Sequence, residues 1–405
     1  MPDVTVIGGG IVGICSAVAL QDSGHSVEIV ERTAPGSGAT FGNCGLLAAG
    51  EVVPISKPGM LKNVPKWLLD PEGPLFVRPD AFIRELPWLL RFLCSGRPGR
   101  VREIAHALAA LTMRAQDDFE DLLDRAGLSS NLVHFENLVV YDSEADYEKE
   151  RFAWDLRRSL GFDHEFLHRD DLVGIEPELG GPLGCGVIAN RWLHFSDPHL
   201  MAVRLAEFFK TRGGIVHKAD VTAIRTSGER ATALMLESGE AMPVKTVVVA
   251  AGAWSKRLVT SLGLRTPLAA LRGYHFHVSE PGIHLDHAVL YANGGFVMTP
   301  METGLRLAGT IEVSNLGARP NYRRADLLAR RAAAILPRAD LGRGERWMGP
   351  RPSMPDTLPV IGRAPYHRNV VLAYGHGQLG ITLGATTGRI VSDVVLGRTP
   401  AIDLF

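Results

Sequence analysis

A chain of 405 residues is longer than one hydrophobic core usually organises, so two domains are expected. Its 43 Lys and Arg residues nearly balance 44 Asp and Glu, for a net charge of −1; this gives no electrostatic footprint for nucleic acid and directs attention to a small, locally recognised partner. Four scattered cysteines, Cys15, Cys44, Cys94 and Cys185, make no CxxC pair and no metal-ligand spacing, which suits a reducing, cytoplasmic setting.

The chain opens strand, glycine turn, helix, strand. Val4, Val6 and Ile7 form the first strand, helical spacing runs from Ile11 through Ala19, and Val27 to Glu31 is the second strand, a βαβ start. The uncharged run Val4 to Gln21 lacks the basic start of a signal peptide, and three glycines interrupt it. Residues 35–80 are rich in Gly and Pro and read as loops folded over a site. A long amphipathic helix is expected over 99–126, a strand at Leu138 to Tyr141, and a helix over 145–160. Asp197 is the expected N-cap, and Pro198 the first turn, of a helix reaching Arg212. Strands follow at 215–217 and 221–224. Thr246 to Ala250 is continuously apolar from Val247 on, as in a parallel strand buried on both faces. Alternation over 268–311 predicts antiparallel sheet with one face on a cavity. A helix over 323–336, a strand at 370–373, a Gly-rich turn and a helix over 384–395 complete the chain.

Gly8-Gly9-Gly10-Ile11-Val12-Gly13 fits GxGxxG. Gly8 permits the tight turn, Gly10 lets a pyrophosphate approach the backbone, and Gly13 lets helix pack on strand. The N–H groups opening the helix, around Ile11 and Val12, then face the phosphates. Glu31 ends the second strand where a carboxylate takes ribose hydroxyls, with Arg32 beside it, and its charge disfavours a 2′-phosphate. The fingerprint leaves NAD and FAD open.

Three further segments bear on that choice: Thr40-Phe41-Gly42-Asn43-Cys44-Gly45, Thr246 to Gly252, and Val360-Ile361-Gly362 before Gly375-His376-Gly377-Gln378-Leu379-Gly380. With Gly349-Pro350-Arg351-Pro352 and Pro355 to Gly362, they resemble the D-amino acid oxidase-like flavoproteins, and among them the bacterial D-amino acid dehydrogenases. The resemblance runs from Val4 to about Val395. It implies a Rossmann-like α/β FAD-binding domain, discontinuous in sequence (1–55, 165–262 and 345–405), and a substrate-binding domain of antiparallel sheet plus helices (56–164 and 263–344). It implies FAD as cofactor. Thr40, Asn43, Cys44, Gly45 and Leu46 would pass beside pyrophosphate and flavin. Val221 would meet adenine, with Ala251, Gly252 and Trp254 closing the late strand. Gly375, Gly377, Gln378, Leu379, Gly380, Ile381 and Thr382 would wrap the pyrimidine end of the flavin.

By the same resemblance Arg351 binds the carboxylate of an amino acid, a task suited to a planar guanidinium. Tyr274 and His376 are the other candidates for the catalytic centre. Tyr274 lies on a strand where His275 and His277 face the opposite way, and the sequence leaves open which set meets the flavin. Asp197 reads as a cap, and His194, His199 and His217 as structural. The implied reaction is transfer of the α-hydrogen of a D-amino acid or cyclic D-imino acid to flavin N5 as hydride, leaving an imine. A glycine- or sarcosine-type amine oxidase and a flavin-binding subunit of a larger complex are the alternatives. The implied partners are the amino acid and a quinone or other electron acceptor; a homo-oligomer is compatible. A loop from Pro54 to Leu69, with Trp67, Leu68 and Leu69 beside Lys62 and Lys66, is a candidate for peripheral contact with the inner face of a membrane.

Overall fold

The computed structural model describes residues 1–402, apart from the side chains of Leu61, Asn63, Lys66 and Trp67. The elements that frame its cavity are, in chain order, β1 (Val4–Ile7), α1 (Ile11–Asp22), β2 (Val27–Glu31), β3 (Leu75–Val77), α2 (Pro79–Ser95), β4 (Thr246–Val249), β5 (Ala269–Val278), β6 (Gly304–Val313), β7 (Glu345–Ser353), β8 (Val370–Tyr374) and α3 (Gly384–Val395).

β1 sits inside a six-stranded sheet, parallel to β2 with Val4 opposite Val27 and to β4 with Val4 opposite Thr246. Ile215–Lys218 extends the sheet beyond β2; β8 and then the antiparallel edge strand Val360–Arg363 extend it beyond β4. Alternation sends Val4, Val6, Ile29 and Val248 to one face, where α1, α3 and the helix Pro198–Thr211 cover them. Ile7, Val30, Val247 and Val249 go to the other face, against a three-stranded antiparallel sheet that begins at Val221. Each such side chain, fully buried, contributes about 1.5–3 kcal/mol relative to exposure. His217 is structural, as expected. It bonds Glu28 at 2.9 Å, and Thr5 Oγ1 donates to the same carboxylate at 2.8 Å.

A nine-stranded sheet forms the second layer. It runs β7, β5, β6, Phe296–Met301, Val289–Tyr291, Asn137–Tyr141, Cys185–Ala189, His164–His168, with β3 also paired to β6. Three of these strands, His164–His168, Cys185–Ala189 and β7, fall almost wholly in the spans expected for the dinucleotide domain. Alternation in a strand fixes which faces it buries and not which sheet it joins.

Two expected helices are each divided. The one over 99–126 is Pro98–Thr112 followed by Ala115–Arg125, and the one over 145–160 is Glu144–Lys149 followed by Arg151–Ser159. The 17-residue helix α2 follows the Gly- and Pro-rich region and gives a weak helical signal because Pro87 lies inside it. Its Trp88, Leu89 and Phe92 nevertheless pack on Leu75, Val77, Leu271 and Val313, so tertiary burial overrides propensity. Among the described residues no helix is long and apolar enough to cross a membrane.

α1 and α3 approach backbone to backbone at Gly388. A Cβ at Gly388 would stand 2.6 Å from the carbonyl oxygen of Cys15. Gly388→Val should therefore push the two helices apart and lower stability by about 1–3 kcal/mol. A thermal unfolding midpoint equal to the parent's would show that this approach is not tight.

Candidate active site

A cavity of about 600 Å³ opens where β1, β2 and β4 end and runs to the face of the nine-stranded sheet formed by β5, β6 and β7. Its walls are thus the carboxyl ends of parallel strands on one side, the usual place for a ligand in such a fold.

The glycine turn builds one end. Gly8 has φ 111°, and a Cβ there would fall 2.4 Å from the carbonyl oxygen of Ala250; one on Gly13 would fall 1.9 Å from that of Gly8. Gly13 therefore serves the packing of α1 on β1 and does not itself line the cavity, whereas Gly8, Gly10, Ile11 and Val12 do. α1 begins without a side-chain cap and without an acidic residue in its first turn. Glu31 accepts from the backbone N–H of Gly9 at 2.7 Å and of Thr33 at 2.9 Å. Beside it the Arg32 guanidinium stacks 3.4 Å above the Trp254 ring. Val221, Ala251, Gly252 and Trp254 line the same end.

The loop 40–46 crosses the middle. Thr40 Oγ1 accepts from the N–H of Ile11 at 3.1 Å. The buried Arg306 donates to the carbonyls of Phe41 and Asn43 at 3.0 and 2.9 Å, and Thr299 Oγ1 donates to that of Cys44 at 2.7 Å. Thr40, Asn43, Cys44 and Leu46 line the cavity, while Gly45 (φ 78°) turns the chain away from it. Burial pushes the Cys44 thiol up, which keeps it protonated. Asp197 is the expected cap: its carboxylate accepts from the N–H groups of His199 and Leu200 at 2.7 and 3.0 Å.

The C-terminal turn closes the middle from the other side. Residues 376–382 line the cavity; Gly375 (φ 87°) makes the turn behind them. Thr382 Oγ1 accepts from the Ala48 N–H and donates to the Leu46 carbonyl, each at 3.2 Å. α3, like α1, starts with no side-chain cap and no acid in its first turn. Two helix N-termini at one cavity, neither capped by its own N-cap side chain nor carrying an acid in its first turn, suit an anionic dinucleotide. Gln378, Leu379, Gly380 and Ile381 border it between them. His376 borders the cavity, yet its Nε2 bonds Thr387 Oγ1 at 2.9 Å, inside α3. Burial pushes its pKa down to about 4, so it is neutral and fixed, and its role is to hold the turn.

Arg351 occupies the other end. β7 lies antiparallel to β5 with Arg351 opposite Leu271. The guanidinium lies over Gly273, where a Cβ would come within 2.4 Å of its Cζ. Its Nη1 donates to the Thr310 carbonyl at 3.0 Å. Among the described residues no carboxylate neutralises it, and burial holds its pKa below the usual arginine value. It remains charged. β6 bulges here: between the pairs Arg272–Glu312 and Tyr274–Gly309 it carries one extra residue. Thr310 has φ 58°, a strained conformation for a β-branched residue. The bulge aims its carbonyl at the arginine.

Tyr274 is a correction. It points away from the cavity into the core beneath the sheet, where its hydroxyl donates to Glu312 at 3.2 Å and accepts from the N–H of Asn321 at 3.1 Å. Strand alternation then puts Gly273, His275 and His277 on the side of the cavity. His275 stacks on Trp347 with centroids 5.2 Å apart, and burial pushes its pKa down to about 3.

Sequence reasoning passed over the wall next to Arg351. Leu75 and Ile311, paired in register, join Ile55 and Met60 in one apolar cluster that borders the cavity. Nothing in the local pattern of residues 55–75 marks those positions, because β3 brings Leu75 to β6 from far away in sequence and Ile55 and Met60 pack onto the cluster it forms. Trp347 had a signal, its closeness to the Gly349–Pro352 motif.

Comparison with known proteins places this geometry. A family model described as "DAO: FAD dependent oxidoreductase" matches residues 3–394. A D-amino-acid oxidase of Bradyrhizobium diazoefficiens is 34% identical over 99% of this chain and 96% of its own. D-amino acid dehydrogenase 2 of Ralstonia nicotianae is 31% identical over 98% and 97%. In fold the chain is similar to glycine oxidase from Geobacillus kaustophilus, with TM-score 0.78 and 24% identity over 100% of this chain and 96% of that one. It is likewise similar to iminodiacetate oxidase from Chelativorans sp., with TM-score 0.75 and 21% identity over 99% and 97%.

The buried neutral histidine yields a pH prediction. Unfolded, His376 would take up a proton near pH 6.5; folded, it does so only near pH 4. Its contribution to stability is therefore complete above about pH 6.5 and falls as pH drops towards 4, by up to about 1.4 kcal/mol per pH unit. His376→Gln should flatten the acid side of a stability-against-pH curve by up to one proton. A curve parallel to the parent's between pH 4 and 6.5 would show that the histidine is not held neutral.

Proposed function

Because this chain belongs to the DAO family of FAD-dependent oxidoreductases, we propose that it oxidises neutral D-amino acids or cyclic D-imino acids to imines. The observation that carries this reading is the lone guanidinium of Arg351, deep in the protein, charged, and without a protein carboxylate. A substrate carboxylate completes it, and two parallel N–H donors fix the α-carbon. The D configuration rests on the names of the two relatives above 30% identity. The apolar wall of Ile55, Met60, Leu75 and Ile311 suits an uncharged side chain and excludes water from it.

Bound in this cavity, FAD supplies the two-electron acceptor for the substrate's α-hydrogen. The chain itself offers no free carboxylate base among the described residues that line the cavity. Glu31 serves Gly9 and Thr33, Glu51 pairs with Arg157 at 3.1 Å, and Asp220 pairs with Arg257 at 2.6 Å. His376 is tied to Thr387. The residues position the substrate, hold the cofactor and keep out water, which fits removal of the α-hydrogen as hydride from a neutral amine.

Anaerobic mixing of the holoenzyme with a panel of D- and L-amino acids tests this. Neutral D-amino acids should bleach the flavin, and D-aspartate and L-enantiomers should do so slowly. In Arg351→Ala, kcat/KM should fall on the order of 30-fold to several thousand-fold with FAD still bound, and Arg351→Lys should recover only part of it. Bleaching of both variants at the parent's rate would remove the arginine from the site. Bleaching by glycine or sarcosine above every D-amino acid would move the chain to the amine oxidase reading.

For the electron acceptor, a quinone is proposed over oxygen, supported by the dehydrogenase relatives. Turnover with a quinone analogue under argon should exceed peroxide formation in air at the same D-amino acid concentration. The reverse order would make the chain an oxidase, as the name of its Bradyrhizobium relative states.

A further inference from the structure

Helix α2 presents an apolar stripe that none of the described residues covers. Ile83 is 83% exposed, Leu90 55% and Leu86 37%. Positions 83, 86, 90 and 94 fall on one helical face, and the last of them is the exposed Cys94. The opposite face of the same helix is the buried one, with Trp88, Leu89 and Phe92 packed on the cluster that supplies the cavity wall. Nearby, Leu69 ends a short helix with 81% of its surface in solvent, while Leu68 beside it packs into that same cluster. A soluble protein has no reason of stability to align large apolar side chains outward.

The charges around the stripe indicate what covers it. Both acids of α2 are already paired, Asp80 with Arg78 at 3.0 Å and Glu85 with Arg84 at 2.8 Å. Arg91 on the helix and Arg97 just beyond it are exposed, and neither pairs with an acid among the described residues. A second copy of the chain meeting this face about a twofold axis would bring these cations towards their own equivalents, which is repulsive. An anionic lipid surface supplies both missing partners at once, an apolar boundary for the leucines and headgroups for the arginines.

We propose that α2 docks the protein on anionic bilayers, with Ile83, Leu86 and Leu90 inserted at the headgroup boundary and Arg91 and Arg97 on the phosphates. The buried face of α2 packs on the cluster whose Leu75 and Ile311 line the cavity, so docking sets the lipid on the side of that apolar wall. The inference is independent of which amino acid is oxidised.

The test uses the holoenzyme with vesicles of phosphatidylcholine alone or mixed with phosphatidylglycerol. The parent should float with the mixed vesicles and not with the neutral ones, and added salt should weaken the association. A polarity-sensitive fluorophore on Cys94 should shift to the blue on mixing. Ile83→Glu and Leu90→Glu should each weaken partitioning about tenfold or more, with turnover on a soluble dye unchanged because neither side chain reaches the cavity. A parent that stays with the soluble fraction, or an Ile83→Glu/Leu90→Glu double variant that floats like the parent, would overturn the proposal. So would sedimentation showing a parent dimer that the double variant dissolves, which would assign the face to a second copy.

Discussion

A guanidinium set in the cavity wall, with no carboxylate beside it among the described residues, is the constraint around which the Arg351 end of the cavity is arranged. Burying a charge is costly unless something answers it, and here the answer is a backbone carbonyl on one side and an open cavity on the other. Gly273 lets the guanidinium lie flat on β5, since any Cβ there would collide with it. The bulge in β6 turns the Thr310 carbonyl towards it at the expense of a strained φ. Backbone strain, a strand glycine and a missing carboxylate are thus three aspects of one requirement: a cation that stays available to a ligand.

Three buried arginines spend their donors on backbone carbonyls, and the contrast is informative. Arg306 gathers the carbonyls of the 40–46 loop. Arg272 gathers those of residues 315–319 and faces Glu312 at 3.6 Å. Arg324 reaches the carbonyl of Gly73 at 2.8 Å. Each pins a loop that the sheets alone would leave free, because a planar donor fork can satisfy several carbonyls whose strand partners are absent. Pro74 and Leu75, on the segment that Arg324 holds, border the cavity. The fixed walls around Arg351 therefore depend on cations that do not themselves line the cavity.

The nucleotide end works by the opposite means. Close packing of helix on strand at Gly13, and of α1 on α3 at Gly388, brings two helix N-termini to one cavity, neither with an acid in its first turn. Positive potential comes there from backbone dipoles, at the substrate end from a side chain. Between them His376 is neutral and Cys44 protonated, so neither brings a charge to compete with a bound flavin.

What the sequence by itself determined is what depends on short-range geometry. Gly8, Gly10 and Gly13 between an apolar strand and a helix dictate one turn, whatever follows, and Glu31 must end the next strand. The run Thr246 to Val249 suits a parallel strand buried on both faces, and it is one. The Arg351 motif and the 375–382 turn stood out only through the resemblance of several short segments, in order, to a known flavoprotein family. The tertiary structure decided the rest. Which face of β5 meets the cavity depends on what packs behind it, and a core of Phe276, Leu305 and Leu307 claimed Tyr274. β7 reads like a strand of either sheet, and only pairing with β5 assigns it. The apolar wall at Ile55, Met60 and Leu75, the bulge at Thr310 and the helix around Pro87 arise where segments remote in sequence meet. Contact across such distances leaves no period in the chain, because its energy is released only once both partners are in place.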